Sequence, residues 1–394
     1  MLEHENNQSR PAPQYRDPVQ EQQPVRRKRR KKKNQNTRRR VGYIVRRSLL
    51  VLLTLVLLVV IALAVVLNHI FNGDYPEAQK VLVMSLEEAS ATKWIAPLFM
   101  GQEAVDAIIN PAINNNLSGS QTNTDLIQID LSGGISGDST EWDDHPDGIR
   151  IETVGGDTYT GYVMLIRDPS QVYLAVSSER FSQDIPGKRI TKAIEDEGAI
   201  AGINAGAFFD NGTSSSVVGS IPQGLTVAGG KVVWTTGETP VGSQTAFVGF
   251  TNDHKLIVSQ DVTAADIETL GIRDGCSFGP VLRMNGTINE SAYNGNSGLN
   301  PRTAIGQRAD GAVIFVCIDG RQASSLGGTY ADIIDIMVEF GAVNACNLDG
   351  GSSTVMLYRD HETGQVSMVN SYSLLQEEPR RMPTFFMVRP ASED

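Results

Sequence analysis

Ala312-Val-Ile-Phe-Val-Cys-Ile-Asp-Gly-Arg321 and Ala342-Val-Asn-Ala-Cys-Asn-Leu-Asp-Gly-Gly-Ser-Ser353, linked through Thr329-Tyr-Ala-Asp332, decide how this chain folds. The first run is continuously apolar to Ile318 and stops at Asp319-Gly320; the second runs from Ala342 to Leu348 and stops at Asp349. Short apolar runs bounded by turn residues read as strands. Between them Thr329 and Asp332 form a capping-box pattern, in which each side chain satisfies an orphan N–H of a helix start. Ile333, Ile334, Met337 and Phe340 then recur at helical spacing, and Gly341 supplies the stop. As parallel neighbours joined by a right-handed crossover, the two strands bring Asp319 and Asp349 to the same carboxyl edge. Open α/β sheets bind ligands at that edge.

Outward from this unit, the composition splits the chain. Residues 1–47 carry 15 Lys or Arg against 4 acids, and the remainder carries 19 against 41. Between the basic end and the acidic bulk lies Ser48–Leu67, an uncharged run interrupted only by Ser48 and Thr54. Its length as a helix, about 30 Å, matches a hydrocarbon core. An uncleaved anchor is expected rather than a secretory signal, because Asn68-His-Ile-Phe-Asn-Gly73 offers no small-residue cleavage site. The cluster Arg26–Lys33 with Arg38, Arg39, Arg40, Arg46 and Arg47 belongs on the cytoplasmic side, so everything after about residue 70 is expected outside the cytoplasm. The basic tail can meet anionic lipid headgroups. Nucleic acid is not expected as a partner, since the acidic outer part repels a polyanion and the tail lacks interleaved aromatics.

The expected organisation is a basic tail (1–47), a transmembrane helix (48–70), a juxtamembrane neck and linker (71–144) and one domain (145–391). The neck shows partial helical periodicity over Glu77–Ser90 and Gln102–Ile109, as either a packed helical neck or a mobile spacer. Ser132-Gly-Gly-Ile-Ser-Gly137 is linker-like. Ile149–Val154, Tyr159–Arg167 and Val172–Ser177 read as a meander, Lys192–Gly198 as a helix, and Ala199–Asn204 as a strand. Gly229-Gly230 and Asn285-Gly286 signal hairpins. The fold class expected is α+β, with a mixed β-sheet that contains the parallel strand–helix–strand unit. Cys276, Cys317 and Cys346 form no CxxC pair and read as buried free thiols.

Five segments concentrate Gly, Asn, Asp, Arg and Ser at the ends of apolar runs: Gly202–Phe209, Ser277–Val281, Pro301–Gly306, Asp319–Arg321 and Asn347–Ser353. Glycine there lets a ligand approach the backbone closely. In order and wording these segments resemble the phosphodiester glycosidase family, to which the animal "uncovering enzyme" belongs. The resemblance covers about residues 148–390 and is most specific over Pro301–Met356. The neck wording Leu86-Glu-Glu-Ala-Ser-Ala-Thr-Lys-Trp94 is similar to membrane-anchored bacterial members. Ala205 and Ala207 depart from the family's pattern, but both are small. The resemblance implies hydrolysis of the bond between a sugar's anomeric carbon and a phosphate oxygen, as in GlcNAc-1-phosphodiesters, here on cell-surface polysaccharide or a related envelope glycan.

The residues suit that chemistry. The leaving group is a phosphate monoester with a conjugate-acid pKa of about 6, so a cation can take over much of a general acid's task. Arg302 is the first candidate and Arg321 the second. A carboxylate would activate water or attack an oxocarbenium-like state, with Asp349 first and Asp319 second. Arg302 could equally pair with one of these aspartates as a scaffold bridge. Asn204 and Gly206 are expected to contact the sugar; Gly350, Gly351, Ser352 and Ser353 could cradle phosphate as a backbone nest does. Phe208 and Phe209 read as core. The five histidines are scattered, which disfavours a zinc site or a Ser-His-Asp triad. No cofactor is expected, although Asp319, Asp349 and nearby carbonyls would suit Ca²⁺ or Mg²⁺. Two alternatives remain: a non-catalytic carbohydrate-binding or envelope-assembly module, and a metal-dependent phosphodiesterase that cuts P–O.

Overall fold

The structure is a computed structural model that describes residues 26–88, 92–109, 116–117, 119–129, 139–209, 219–236, 246–295, 297–371 and 378–391. The start of the basic tail and the Ser132–Gly137 linker lie outside the described residues. The chain divides into residues 1–68 and 69–394. The first unit holds most of α1 (Arg26–Asn72), whose Val41–Asn72 portion is long and apolar enough to cross a membrane.

In the second unit, the neck is a set of packed helices, α2 (Pro76–Glu87), α3 (Ile95–Met100) and α4 (Gln102–Ile109). Proline opens α2, where a missing N–H costs nothing. Gln79 Nε2 donates to the carbonyls of Ile70, Phe71 and Gly73, groups the end of α1 leaves without helical partners. Of the two readings of the neck, the packed one holds.

Beyond the neck, β1 (Ile149–Gly155) and β2 (Thr160–Ile166) pair antiparallel along their length. The expected meander stops there, because β3 (Val172–Val176) joins a different sheet and pairs with the last strand of the chain. After α5 (Ile190–Glu197) and β4 (Ala201–Asn204) come β5 (Leu225–Ala228), β6 (Lys231–Thr235), β7 (Ala246–Thr251) and β8 (Leu256–Ser259). Next are α6 (Asp266–Thr269), β9 (Ile272–Phe278), β10 (Val281–Met284), β11 (Thr287–Ile288) and α7 (Glu290–Tyr293). The decisive stretch supplies β12 (Arg302–Arg308), β13 (Val313–Ile318), α8 (Tyr330–Glu339) and β14 (Ala342–Leu348). The chain closes with β15 (Met356–Arg359), β16 (Val366–Met368) and β17 (Thr384–Val388).

These strands form a seven-stranded sheet, β1-β2-β13-β12-β14-β10-β11, and two five-stranded sheets, β16-β15-β4-β17-β3 and β6-β5-β9-β7-β8. The fold is α+β as expected, but every strand pairing among the described residues is antiparallel. β13 and β14 do run parallel to each other, yet they are not neighbours. β12 lies between them and is antiparallel to both. Its Arg302 pairs with Ile318 and its Thr303 with Leu348, so β12 begins at the edge where the flanking strands end.

The apolar run of β13 is continuous because both of its faces are covered. Ile314, Val316 and Ile318 pack with Ile333, Ile334 and Met337 of α8. Val313, Phe315 and Cys317 face a core shared by all three sheets, with Ile203, Phe386, Val248 and Phe250. Cys276 and Cys346 lie in that same core. Full burial of Ile333, Ile334 and Met337 stabilises the packing of α8 by roughly 1.5–3 kcal/mol per side chain. The capping box forms as read: Thr329 Oγ1 accepts from Asp332 N, and Asp332 Oδ2 accepts from Thr329 N.

Candidate active site

The sheet edge where β13 and β14 end and β12 begins opens into a cavity of about 460 Å³, within the usual range for small-molecule sites. Asp349, Gly350, Gly351 and Ser352 line it together with Arg302 and with Arg321, whose Nη2 would stand 3.2 Å from a Cβ on Gly351. The turn after β14 is fixed through its backbone. Asp349 N donates to Ala205 O (3.0 Å) and Gly351 N to Pro301 O (2.8 Å). A Cβ on Gly350 would stand 2.8 Å from Pro301 O, and Gly351 has φ +59°, so the double glycine is required for this close approach.

Arg302 is 5% exposed, and its charge is met from the neck, not by either aspartate. Its Nη2 reaches Glu88 Oε2 at 2.7 Å and Gly298 O at 2.7 Å; Nε donates to Gly328 O, and the guanidinium lies over the Tyr330 ring. Deleting Glu88 would leave a buried guanidinium without its counter-charge, a loss of ~3–5 kcal/mol. The sequence reading missed Glu88 because it lies more than 200 residues upstream of Arg302, in a segment whose packing periodicity could not establish.

Arg321 has φ +58°, a conformation uncommon outside glycine and a form of local strain that collects at functional sites. Its backbone N donates to Leu326 O and its Nη2 to Asn300 Oδ1 (3.0 Å). Arg380, also missed by the sequence reading, donates from Nη1 to Ser352 Oγ (3.0 Å) and stacks over Phe208. The one available signal was its position just ahead of β17 in Glu378-Pro-Arg-Arg381. Phe208, expected in the core, packs against the buried cluster around Phe385 and Met387 and also lines the cavity; Phe209, expected there too, is 47% exposed. Three arginines thus face two carboxylates, Glu88 and Asp349, giving the lining a net positive charge inside a strongly acidic domain.

The remaining expected residues serve elsewhere. Asp319 is not among the cavity-lining residues. Its carboxylate accepts from Ser371 N (2.9 Å) and Asn370 Nδ2 (3.3 Å), anchoring a loop behind the edge. Burial raises its carboxyl above the usual range, and the Asn370 and Ser371 hydrogen bonds oppose that rise. Asp319 and Asp349 therefore do not line one cavity, and among the described residues no group of three or more His, Cys, Asp or Glu is arranged to hold a metal ion. Asn204 is fully buried. Its Oδ1 accepts from Thr303 Oγ1 (2.9 Å) and Val355 N (3.1 Å), while Nδ2 donates to Asp349 O. Gly206 is buried against Cys276 and Ser277, and Ser353 is buried with its Oγ unpartnered; neither lines the cavity. Asn204 and Gly206 do not line the cavity; Asn204 holds the turn at Asp349 from beneath through its Nδ2.

Comparison with known proteins bears on the family of the chain. Residues 197–389 match the model of the phosphodiester glycosidase family. The SPbeta prophage-derived uncharacterized protein YomE of Bacillus subtilis is 33% identical over 103 residues, which are 25% of this chain and 16% of that protein. Among solved structures, the zebrafish N-acetylglucosamine-1-phosphodiester alpha-N-acetylglucosaminidase catalytic domain, auto-inhibited by its pro-peptide, aligns with a TM-score of 0.46 at 19% identity. That alignment covers 62% of this chain and 82% of the zebrafish one. A hypothetical protein from Synechocystis aligns with a TM-score of 0.38 at 16% identity, over 61% of this chain and 62% of that one. Residues 197–389, just under half of the chain, thus carry the pattern of the phosphodiester glycosidase family.

Proposed function

We propose that this chain is a membrane-anchored hydrolase, its tail cytoplasmic and its domain outside, that cleaves the C1–O bond of sugar-1-phosphodiesters such as GlcNAc-1-phosphate esters on envelope polysaccharide. The observation that carries the reading is the convergence of Asp349 with Arg302, Arg321 and Arg380 on one cavity. The phosphate would lie between Arg321, Arg380 and the Gly350–Ser352 turn, where planar guanidinium forks and backbone N–H groups suit its oxygens. Arg302, held by Glu88, adds a fixed positive field behind them. Phe208, beneath Arg380, and Phe278 supply the apolar part of the lining against which the sugar would rest.

In the reaction, Asp349 takes a proton from water as that water attacks the anomeric carbon. The C1–O bond breaks towards phosphate, and the departing monoester carries away the electron pair. Its low basicity removes the need for a strong general acid; the arginines stabilise the charge that develops. Substrate N-acetyl and hydroxyl groups would meet the apolar wall and the polar rim. The Val41–Asn72 helix would provide the membrane anchor.

Hydrolysis of a GlcNAc-1-phosphodiester in H₂¹⁸O tests the proposal. Label in the sugar supports it, and label in the phosphate would instead assign a P–O-cleaving phosphodiesterase. Binding without turnover would assign a carbohydrate-binding module.

A further inference from the structure

Glu88 immediately follows α2 in the neck, more than 100 residues ahead of the family-matched segment that starts at residue 197. Its carboxylate nevertheless reaches the cavity and binds three groups there. Oε2 accepts from Arg302 Nη2 (2.7 Å) and from Asn300 Nδ2 (2.6 Å), and Oε1 accepts from Gly298 N (3.1 Å). We propose that Glu88 is a positioning residue of the active site, setting Arg302 directly and Arg321 through Asn300. The inference rests on the reading of this cavity as a sugar-phosphodiester site.

The relay follows from donor and acceptor chemistry. A carboxylate only accepts, so Asn300 must turn its Nδ2 towards Glu88. Its Oδ1 then faces the other way, where Arg321 Nη2 donates to it at 3.0 Å. With Glu88 withdrawn, nothing fixes which end of the amide faces Arg321, and a reversed amide would set N–H against N–H. One neck carboxylate thereby orients two of the three cavity arginines.

The contacts also distinguish a fixed wall from a removable lid. Leu299 N donates to Ser85 Oγ (2.8 Å), and a Cβ on Gly298 would stand 2.3 Å from Ser85 N. The neck helix thus presses on the 298–300 backbone without a gap. The active site is completed by the neck and is not covered by it.

Glu88→Asp separates position from charge, because it keeps the carboxylate and withdraws it by about 1.5 Å, one carbon–carbon bond. The full chain in detergent micelles is assayed for kcat and KM with the methyl phosphodiester of N-acetylglucosamine 1-phosphate, and for inorganic phosphate binding by calorimetry. Glu88→Asp should lower kcat on the order of 100-fold, as expected for a misplacement of this size. Phosphate binding should weaken ~10-fold through poorer charge-assisted hydrogen bonds. Ser85→Ala removes the half-buried acceptor of Leu299 N without touching an arginine or its partners, so it should lower stability modestly and leave both quantities within about twofold of the parent. The proposal is overturned if Glu88→Asp matches the parent, if Ser85→Ala loses as much, or if Glu88→Asp gains activity as a lid would require. A parent chain that binds phosphate without hydrolysing the ester, with binding still weakened in Glu88→Asp, rejects the hydrolase reading and retains the positioning role. A parent chain that binds no phosphate rejects both.

Discussion

Replacing Asn204 by alanine should unfold the site before it weakens any ligand. The side chain is fully buried and joins three elements: Thr303 on β12, Val355 in the loop before β15, and the carbonyl of Asp349. Alanine leaves the Val355 N–H buried and unpaired, at about 1–3 kcal/mol. The Thr303 hydroxyl and Asp349 carbonyl each lose one bond, ~1 kcal/mol apiece where solvent or rotation gives partial relief. The vacated amide volume adds a small cavity term, so the total is roughly 3–5 kcal/mol. For a unit of this size, with a urea m-value near ~3 kcal/mol/M, the midpoint should fall by about 1–1.7 M. Urea unfolding of the full chain in micelles, followed by tryptophan fluorescence, measures the shift. A sugar-contacting Asn204 would give the opposite pattern, a raised KM with an unchanged midpoint. A midpoint shift below about 0.3 M, equivalent to ~1 kcal/mol, would refute the clamp.

Three further outcomes are expected. Asp349→Asn should abolish turnover, a loss of at least ~10³-fold, while the melting temperature stays within about 2 °C, because the residue sits in a polar turn held by backbone bonds. Asp319→Asn should retain kcat within about threefold while costing ~1–3 kcal/mol in urea unfolding, since its amide group sets a donor against Asn370 Nδ2 or Ser371 N; a lost kcat would return Asp319 to the catalytic set. His254 is held below the usual imidazole range, first by burial and then by the neighbouring Arg273 charge. The unfolded chain therefore takes up a proton near pH ~6.5 that the folded chain resists, and stability should decline as pH falls below that value. Asparagine also tolerates the φ of +62° at this position, so His254→Asn should flatten the dependence between pH 7 and 5, as read from midpoints at each pH.

The strand–helix–strand unit was legible because each part has a local cause. Thr329 and Asp332 satisfy each other's backbone, Gly341 takes φ +77°, and β14 occupies Ala342–Leu348 as read. The insertion of β12 was not legible, since its residues look like a glycine-bearing loop end and which strands become neighbours is a non-local outcome. The same insertion carries Arg302 to the edge alongside the ends of β13 and β14, so the expected convergence of Arg302 and Asp349 survived a wrong neighbour assignment. Asp319 could not be placed from sequence, because what claims its carboxylate is a loop about 50 residues further on, at Asn370 and Ser371. Glu88 and Arg380 were equally hidden. Side chains that enter a site from distant loops leave no periodic trace, whereas residues that end strands do.

The three cysteines carry a consequence for handling the chain. Cys276, Cys317 and Cys346 are sealed in the core, and burial pushes each thiol well above its ordinary range, so the reactive thiolate is scarce while the fold persists. Oxidants in solution have little access to them while the fold persists. They also act as built-in timers: Cys317 and Cys346 sit in the seven-stranded sheet and Cys276 in β9 of another, so separate alkylation rates would report whether the sheets open together or one at a time.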